Sequence, residues 1–219
     1  MSKNNFFIYG LQRSGTNVIQ DFLKLNFNIR FLNIGIKNIS RNHFLSKHFR
    51  IYDEKQYIPV KEYWNNIIIN SINDLNKLIN LNKNKYVVVY KDVYSWLLSI
   101  EIWGKKNNWN IKNRIQYVND YLLYMKKWNE IKTDNVLFID YREYLECKHN
   151  INNNLIEKIN NFLKLNNIQS HKFIFPSKVN VSNKTSSKKE IDYLNKKYLH
   201  QFSKNEIDYI KNHPLFKNK

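Results

Sequence analysis

Apolar positions recur along this chain in two rhythms, short continuous runs and spaced stripes, and the two alternate. Phe6-Phe7-Ile8-Tyr9 is a run that predicts a strand; a glycine-bounded turn follows, and then Val18, Ile19, Phe22 and Leu23 at helical spacing. From Pro59, a favourable first-turn residue, Trp64, Ile67, Ile68, Ile72, Leu75, Leu78 and Ile79 return every three or four positions and predict a long core-facing helix. Tyr86-Val87-Val88-Val89-Tyr90 is a β-branched and aromatic run of the kind found in a strand covered on both faces, and Val136-Leu137-Phe138-Ile139 reads the same way. Between them lie a helix near 94–103 and a longer one near 114–132, with Ile115, Val118, Leu122, Met125 and Trp128 on one stripe. Helices near 151–165, 190–200 and 204–212 follow, the last opened by Ser203 and Glu206 in capping-box spacing. The polar, basic stretch 179–189 reads as a loop and a candidate lid. Strands alternating with helices predict an α/β fold, a central parallel sheet flanked by helices with a helical C-terminal part. With no repeat and no Pro/Gly/Ser linker, and prolines scattered at 59, 176 and 214, residues 1–219 are expected to form one domain.

Composition narrows the function classes. The 219 residues carry 36 Lys+Arg against 18 Asp+Glu, a net charge of +18, yet 42% are hydrophobic and 15% aromatic, too many for a disordered basic tail. Alanine is absent, and Asn, Ile and Lys make up roughly two-fifths of the chain, a skew that resembles AT-rich coding. Lysine abundance is therefore weaker testimony for nucleic acid than usual, and its spread along the chain without an RRM, KH or zinc-finger signature predicts no nucleic-acid partner. The positive field still favours anionic ligands. No apolar run approaches the roughly 18 residues of a membrane span, and 6–9 is too short for a signal-peptide core, so a soluble, cytoplasmic protein is expected. Cys147 stands alone, which excludes an internal disulfide and a cysteine zinc cluster. His43 and His48 have no ligand-spaced cysteine or carboxylate, so no metal site is expected.

The segment Gly10-Leu11-Gln12-Arg13-Ser14-Gly15-Thr16-Asn17 holds two of the chain's four glycines, between a predicted strand and a predicted helix. Such a loop aims backbone N–H groups and the positive end of the helix dipole at one spot, where a phosphate is favoured; an ordinary βα turn with a capping hydroxyl is the plainer alternative. A nucleotide kinase would continue Gly-Lys-Ser/Thr, the lysine reaching the β/γ-phosphates and the hydroxyl holding Mg²⁺. Here Gly15 is followed by Thr16 and Asn17. Arg-Ser-Gly-Thr-Asn after a strand resembles the 5′-phosphosulfate loop of the sulfotransferases that use 3′-phosphoadenosine 5′-phosphosulfate (PAPS), a P-loop-like family that carries Lys or Arg and then Ser-Gly-Thr in this place. The segment 91–99 resembles the family's 3′-phosphate element, in which a strand-end cation precedes a helical serine by eight positions, as Lys91 precedes Ser99. Both features fall at the carboxyl edge of a parallel sheet, where ligands bind in open α/β folds. The alternative is that Asp92 caps a helix packed by Trp96, Leu97, Ile100 and Trp103 while Lys91 is solvated. The family has Arg at Lys91 and Pro at Val93, and its C-terminal Arg-Lys-Gly element is not visible; Lys184, Lys188 and Lys189 are candidate substitutes.

The resemblance implies sulfuryl transfer from PAPS to a hydroxyl or amine of a small-molecule or glycan acceptor, with the bisphosphate PAP as product and no metal. It assigns the 5′-phosphate to Arg13, Ser14, Gly15, Thr16 and Asn17, and the 3′-phosphate to Lys91 and Ser99. Transfer to a hydroxyl needs a proton acceptor, for which His is suited near neutral pH. Ser46-Lys47-His48 resembles the Lys-His pair of some carbohydrate-type and bacterial members, making His48 the expected base and Lys47 the stabiliser of the leaving phosphate; a solvated basic cluster, with Asp53 or Glu54 as base, is the alternative. His149, His171, His200 and His213 read as solvated. Two other functions stay open from sequence: a divergent P-loop kinase and a basic nucleic-acid-binding protein.

Overall fold

The computed structural model describes residues 4–33, 47–48, 50–51, 68–69, 85–106, 108, 114–131, 133–165, 173–176 and 187–214. Its centre is a four-stranded, all-parallel sheet of β1 (Asn4–Tyr9), β2 (Ile29–Phe31), β5 (Lys85–Tyr90) and β6 (Val136–Asp140) in the order β2-β1-β5-β6. Two further short strands, β3 (Arg50–Ile51) and β4 (Ile68–Ile69), pair in parallel with each other.

Pleating sends alternate side chains to opposite faces, and each face has its own layer. Phe6, Ile8, Val87, Val89, Leu137 and Ile139 pack beneath α1 (Thr16–Asn26), α4 (Tyr141–Lys148), α5 (Asn154–Leu163) and the end of α6 (Ser187–Leu194). Phe7, Tyr9, Tyr86 and Val88 face α2 (Val93–Lys106) and α3 (Arg114–Asn129), closed at one end by Phe202 and by Ile210 of α7 (Lys204–Asn212). Aromatic volume fills that second layer: the rings of Phe7 and Tyr86 stack at 5.6 Å and Tyr9 meets Trp128 at 5.7 Å. This is the expected α/β sandwich, with both faces covered and a helical C-terminal part. No helix among the described residues is long and apolar enough to cross a membrane.

Several predicted elements change. The long helix expected from Pro59 to Ile79 contains β4 at Ile68–Ile69, so at those two positions the chain is extended rather than helical; Ile67-Ile68-Ile69 is a β-branched run that satisfies a strand as well as a helical stripe. The rest of 59–79 lies outside the described residues. Ser187 to Lys189, read as part of a loop, open α6; residues 179–186 lie outside. The helix predicted over 190–200 is α6 followed by a 3₁₀ turn at Lys197–Gln201. In α3 the stripe is wider than read, with Tyr117, Tyr121 and Tyr124 buried and Ile115 exposed. The Ser203–Glu206 capping box forms as predicted.

Candidate functional site

Going from β1, the chain reaches β2 on one side and β5 on the other, so the sheet order reverses at the carboxyl end of β1, where such sheets leave a crevice. The loop 10–15 fills that position. Gly10 lies so close to its surroundings that a Cβ would stand 2.6 Å from Ser14 Oγ, Thr16 Cγ2 and the Val89 carbonyl oxygen. The loop turns through Ser14 N–H donating to Leu11 O at 3.1 Å, and it places Arg13 at φ 69° and Gly15 at φ 94°. At Gly15 glycine is needed twice over, for the left-handed backbone and because a Cβ would meet the Tyr141 ring at 2.6 Å. Gly15 is also the N-cap of α1 and supplies no side-chain cap, so the first-turn amides have no internal acceptor from it. Beside them, Ser14 Oγ and Arg13 Nε are buried without hydrogen-bond partners among the described residues. Buried polar groups left unpaired at one point are costly to the apo protein and fit an anion that completes them.

Helix α2 holds the other side of this loop. Trp96 Nε1 donates to Gln12 O at 2.7 Å, and the Arg13 guanidinium lies over the Trp103 ring at 4.8 Å. One turn past Trp96, Ser99 Oγ accepts from Lys91 Nζ at 2.8 Å while donating to Ser95 O at 2.9 Å. The Lys91 backbone is fixed by Tyr121 OH donating to its carbonyl at 2.6 Å. The Lys91 ammonium lies against the rings of Tyr141 and Tyr193, 5.5 and 5.4 Å from their centres, with the two rings themselves in edge contact at 5.6 Å. Burial, with the nearby Arg13 charge adding to it, lowers its pKa to about 8, and Asp92 only partly offsets this. Burial lowers Arg13 as well. Among the described residues neither cation has a carboxylate within ion-pair distance. Asp92 is instead committed to α2, accepting from the N–H groups of Tyr94 and Ser95 at 3.1 and 3.2 Å. The capping role and the Lys91–Ser99 pairing, alternatives when read from sequence, coexist.

Residues 47 and 48 come against the loop from elsewhere in the chain. Gly10 N–H donates to Lys47 O at 3.0 Å, and His48 Nδ1 lies 2.8 Å from Gly10 O. A carbonyl only accepts, so this contact places the ring proton on Nδ1 and makes Nε2 the basic nitrogen. Lys47 Nζ donates to Asn17 Oδ1 and, at 3.3 Å, to Gln20 Oε1, on the first turns of α1. Burial lowers its pKa too, with Asp21 opposing.

No protein-family model matches the chain, and no curated protein matches it. Among solved structures it is similar to a mouse sulfotransferase, SULT7A1, in complex with PAP, at 12% identity and a TM-score of 0.40, over 99% of this chain and 88% of that one.

The structure thus brings Arg13, Ser14, Gly15, Thr16, Asn17, Lys47, His48, Lys91 and Ser99 to one sheet edge. Asn17, read as a phosphate-holding residue, uses its carbonyl oxygen to hold Lys47. Lys188 and Lys189 are exposed in the first turn of α6, while Ser46, Asp53, Glu54, Lys184, His43 and His171 lie outside the described residues. Of the histidines read as solvated, His200 is exposed and contacts the Lys197 carbonyl of its own 3₁₀ turn, while two others reach distant partners. His149 Nε2 is 2.9 Å from Glu190, which also binds Lys148 at 2.7 Å and so ties α6 to α4, and His213 is 2.9 Å from Asn119 Oδ1. The site residues that sequence reasoning missed are aromatic: Trp96, Trp103, Tyr141 and Tyr193. Trp96 and Trp103 were read as helix-core residues; their spacing with Ser99, at i, i+3 and i+7, was the available signal that all three share one face.

Proposed function

We propose that this chain is a metal-independent sulfotransferase that moves a sulfuryl group from PAPS to a hydroxyl or amine of a small-molecule or glycan acceptor, with residues 1–219 forming one such domain. The observation that carries the reading is the pair of cations, Arg13 and Lys91, gathered at the strand-order reversal with no carboxylate among the described residues within ion-pair distance of either, beside first-turn amides that Gly15 leaves without a side-chain cap and a buried serine hydroxyl that is unpaired among the described residues. Two like charges held near each other by the fold repel, and the Arg13 charge adds to the burial that lowers the proton affinity of Lys91; a ligand with two separated phosphates relieves that repulsion. The missing Gly-Lys-Ser/Thr removes the kinase's means of holding Mg²⁺ and the β/γ-phosphates.

In this reading the loop amides, Arg13, Ser14 and Thr16 hold the 5′-phosphate, and Lys91 with Ser99 holds the 3′-phosphate, which fixes the donor's register. PAPS supplies an activated sulfur–oxygen bond. As the acceptor oxygen or nitrogen bonds to sulfur, the bond between sulfur and the 5′-phosphate oxygen breaks, leaving its electron pair on that phosphate. Arg13 and Lys47 offset the negative charge that grows there. His48 Nε2 takes the acceptor's proton, its tautomer set by the bond to Gly10 O.

A thermal shift tests this. PAP at a hundred times its wild-type Kd, without metal, stabilises the fold by about 2.7 kcal/mol, and Arg13→Ala, which leaves the fold intact, weakens binding about a hundredfold, so that at the same PAP concentration the shift falls to about 0.4 kcal/mol. A shift with ADP and Mg²⁺ alone, or no shift with either ligand, refutes the assignment.

A further inference from the structure

We propose that Trp103 is a positioning residue for Arg13, the aromatic platform that holds this cation where it meets the 5′-phosphate. The inference rests on the sulfuryl-transfer reading and extends it to a residue that does not touch the reacting atoms.

Arg13 sits in the left-handed region at φ 69°, which a non-glycine residue adopts only when its surroundings over-determine it. The bend turns its side chain toward α2, where the guanidinium lies 4.8 Å from the centre of the Trp103 ring. Two residues of the loop are therefore held by one helix face: Gln12 through its carbonyl on Trp96 Nε1 at 2.7 Å, and Arg13 through its charge on Trp103. Ser99, between them on the same face, holds Lys91 at 2.8 Å. The stripe Trp96, Ser99, Trp103 thus places both cations of the site relative to each other.

An aromatic partner suits this position for an electrostatic reason. A carboxylate would hold Arg13 more strongly, but it would neutralise the guanidinium and repel an incoming phosphate. A ring face attracts the cation through its quadrupole and carries no net charge, so it orients the guanidinium and leaves its charge available. The guanidinium is itself planar, so one held over the ring by its charge still presents its edge donors in one plane for a bidentate grip on phosphate.

The test is the Kd of PAP by isothermal titration, which needs no acceptor. Trp103→Leu is expected to weaken binding about tenfold, and Trp103→Phe, which keeps a ring face, to stay within about threefold of wild type. In an Arg13→Ala background Trp103→Leu should change nothing further, because a residue acting through Arg13 has no effect once Arg13 is gone. Trp103 is partly buried; should the leucine variant lose its circular-dichroism signature, Trp103→Met, which has volume but no ring, takes its place in the same cycle. Unchanged affinity in Trp103→Leu overturns the inference, and so do effects of the two substitutions that multiply, since either means that Trp103 acts independently of Arg13. Both results leave the functional reading standing. Failure of the wild-type protein to bind PAP removes that reading and this inference with it.

Discussion

Replacing Lys91 by methionine should make the unliganded protein more stable at neutral pH while removing its grip on a 3′-phosphate. The amine ordinarily loses its proton near 10.5 and is lowered here to about 8, because the side chain is largely withdrawn from water and lies near Arg13. Keeping it charged in the folded state at pH 7 therefore costs about 3 kcal/mol. Methionine also forfeits the hydrogen bond to Ser99, worth about 1 kcal/mol, so the net gain is about 2 kcal/mol, or a Tm rise of roughly 4–8 °C for a chain of this size. The sign with pH follows from proton counts. Below pH 8 lysine is charged in both states and the cost is full. Between 8 and 10.5 the unfolded chain binds more protons than the folded one, so wild-type stability rises with pH relative to the variant. Urea unfolding followed by tryptophan fluorescence at pH 7 and pH 10 measures the gap, which should shrink from about 2 kcal/mol to near zero. A methionine variant less stable than wild type at pH 7, or a gap that persists at pH 10, would show that Lys91 is not a desolvated cation.

The same lysine makes ligand binding proton-linked: wild-type affinity for PAP, measured by titration calorimetry, should fall about tenfold per pH unit as pH rises above about 8, whereas Lys91→Arg holds its affinity across that range. Gly15→Ala should cost about 2 kcal/mol in denaturant unfolding, from strain at φ 94° and the 2.6 Å approach to Tyr141, and should abolish PAP binding; a normal thermal shift with PAP would contradict the loop geometry. His48→Ala should lower kcat by roughly 10²–10⁴ in single-turnover sulfuryl transfer while leaving the Kd of PAP within about threefold; a large loss of PAP affinity would instead mark His48 as part of the donor site.

The loop and the strand-end segment were legible because their chemistry is local. Gly10, Arg13 and Gly15 are close in sequence, and Lys91, just past β5, is eight positions from Ser99 in α2, so each group falls within one short segment whose resemblance to the family's phosphate elements can be seen in the sequence. The aromatic residues of the site were not legible, since a tryptophan that packs a core and one that carries a cation have the same helical period. Tyr193 offers even less: it reaches Lys91 because α6 is held to α4 by contacts across more than forty residues, Glu190, five percent exposed, to Lys148 and His149, and Arg142 to the Leu194 carbonyl. The mistaken helix through Ile68 has a similar origin, since what a run of three isoleucines becomes depends on whether a neighbouring strand is there to pair with it.

By itself the sequence determined the period of three of the four central strands, β1, β5 and β6 (the three-residue β2 was not foreseen), the capping of α7, the glycines of the loop after β1, and the excess of positive charge. These follow from short-range sterics and from residue chemistry that any fold must respect. Tertiary structure decided which cations lie near each other, that Lys91 is desolvated and Arg13 held over the Trp103 ring, and which nitrogen of His48 carries the proton. Those properties arise from distances between elements, and electrostatic energies depend on separation and burial, which no linear spacing specifies.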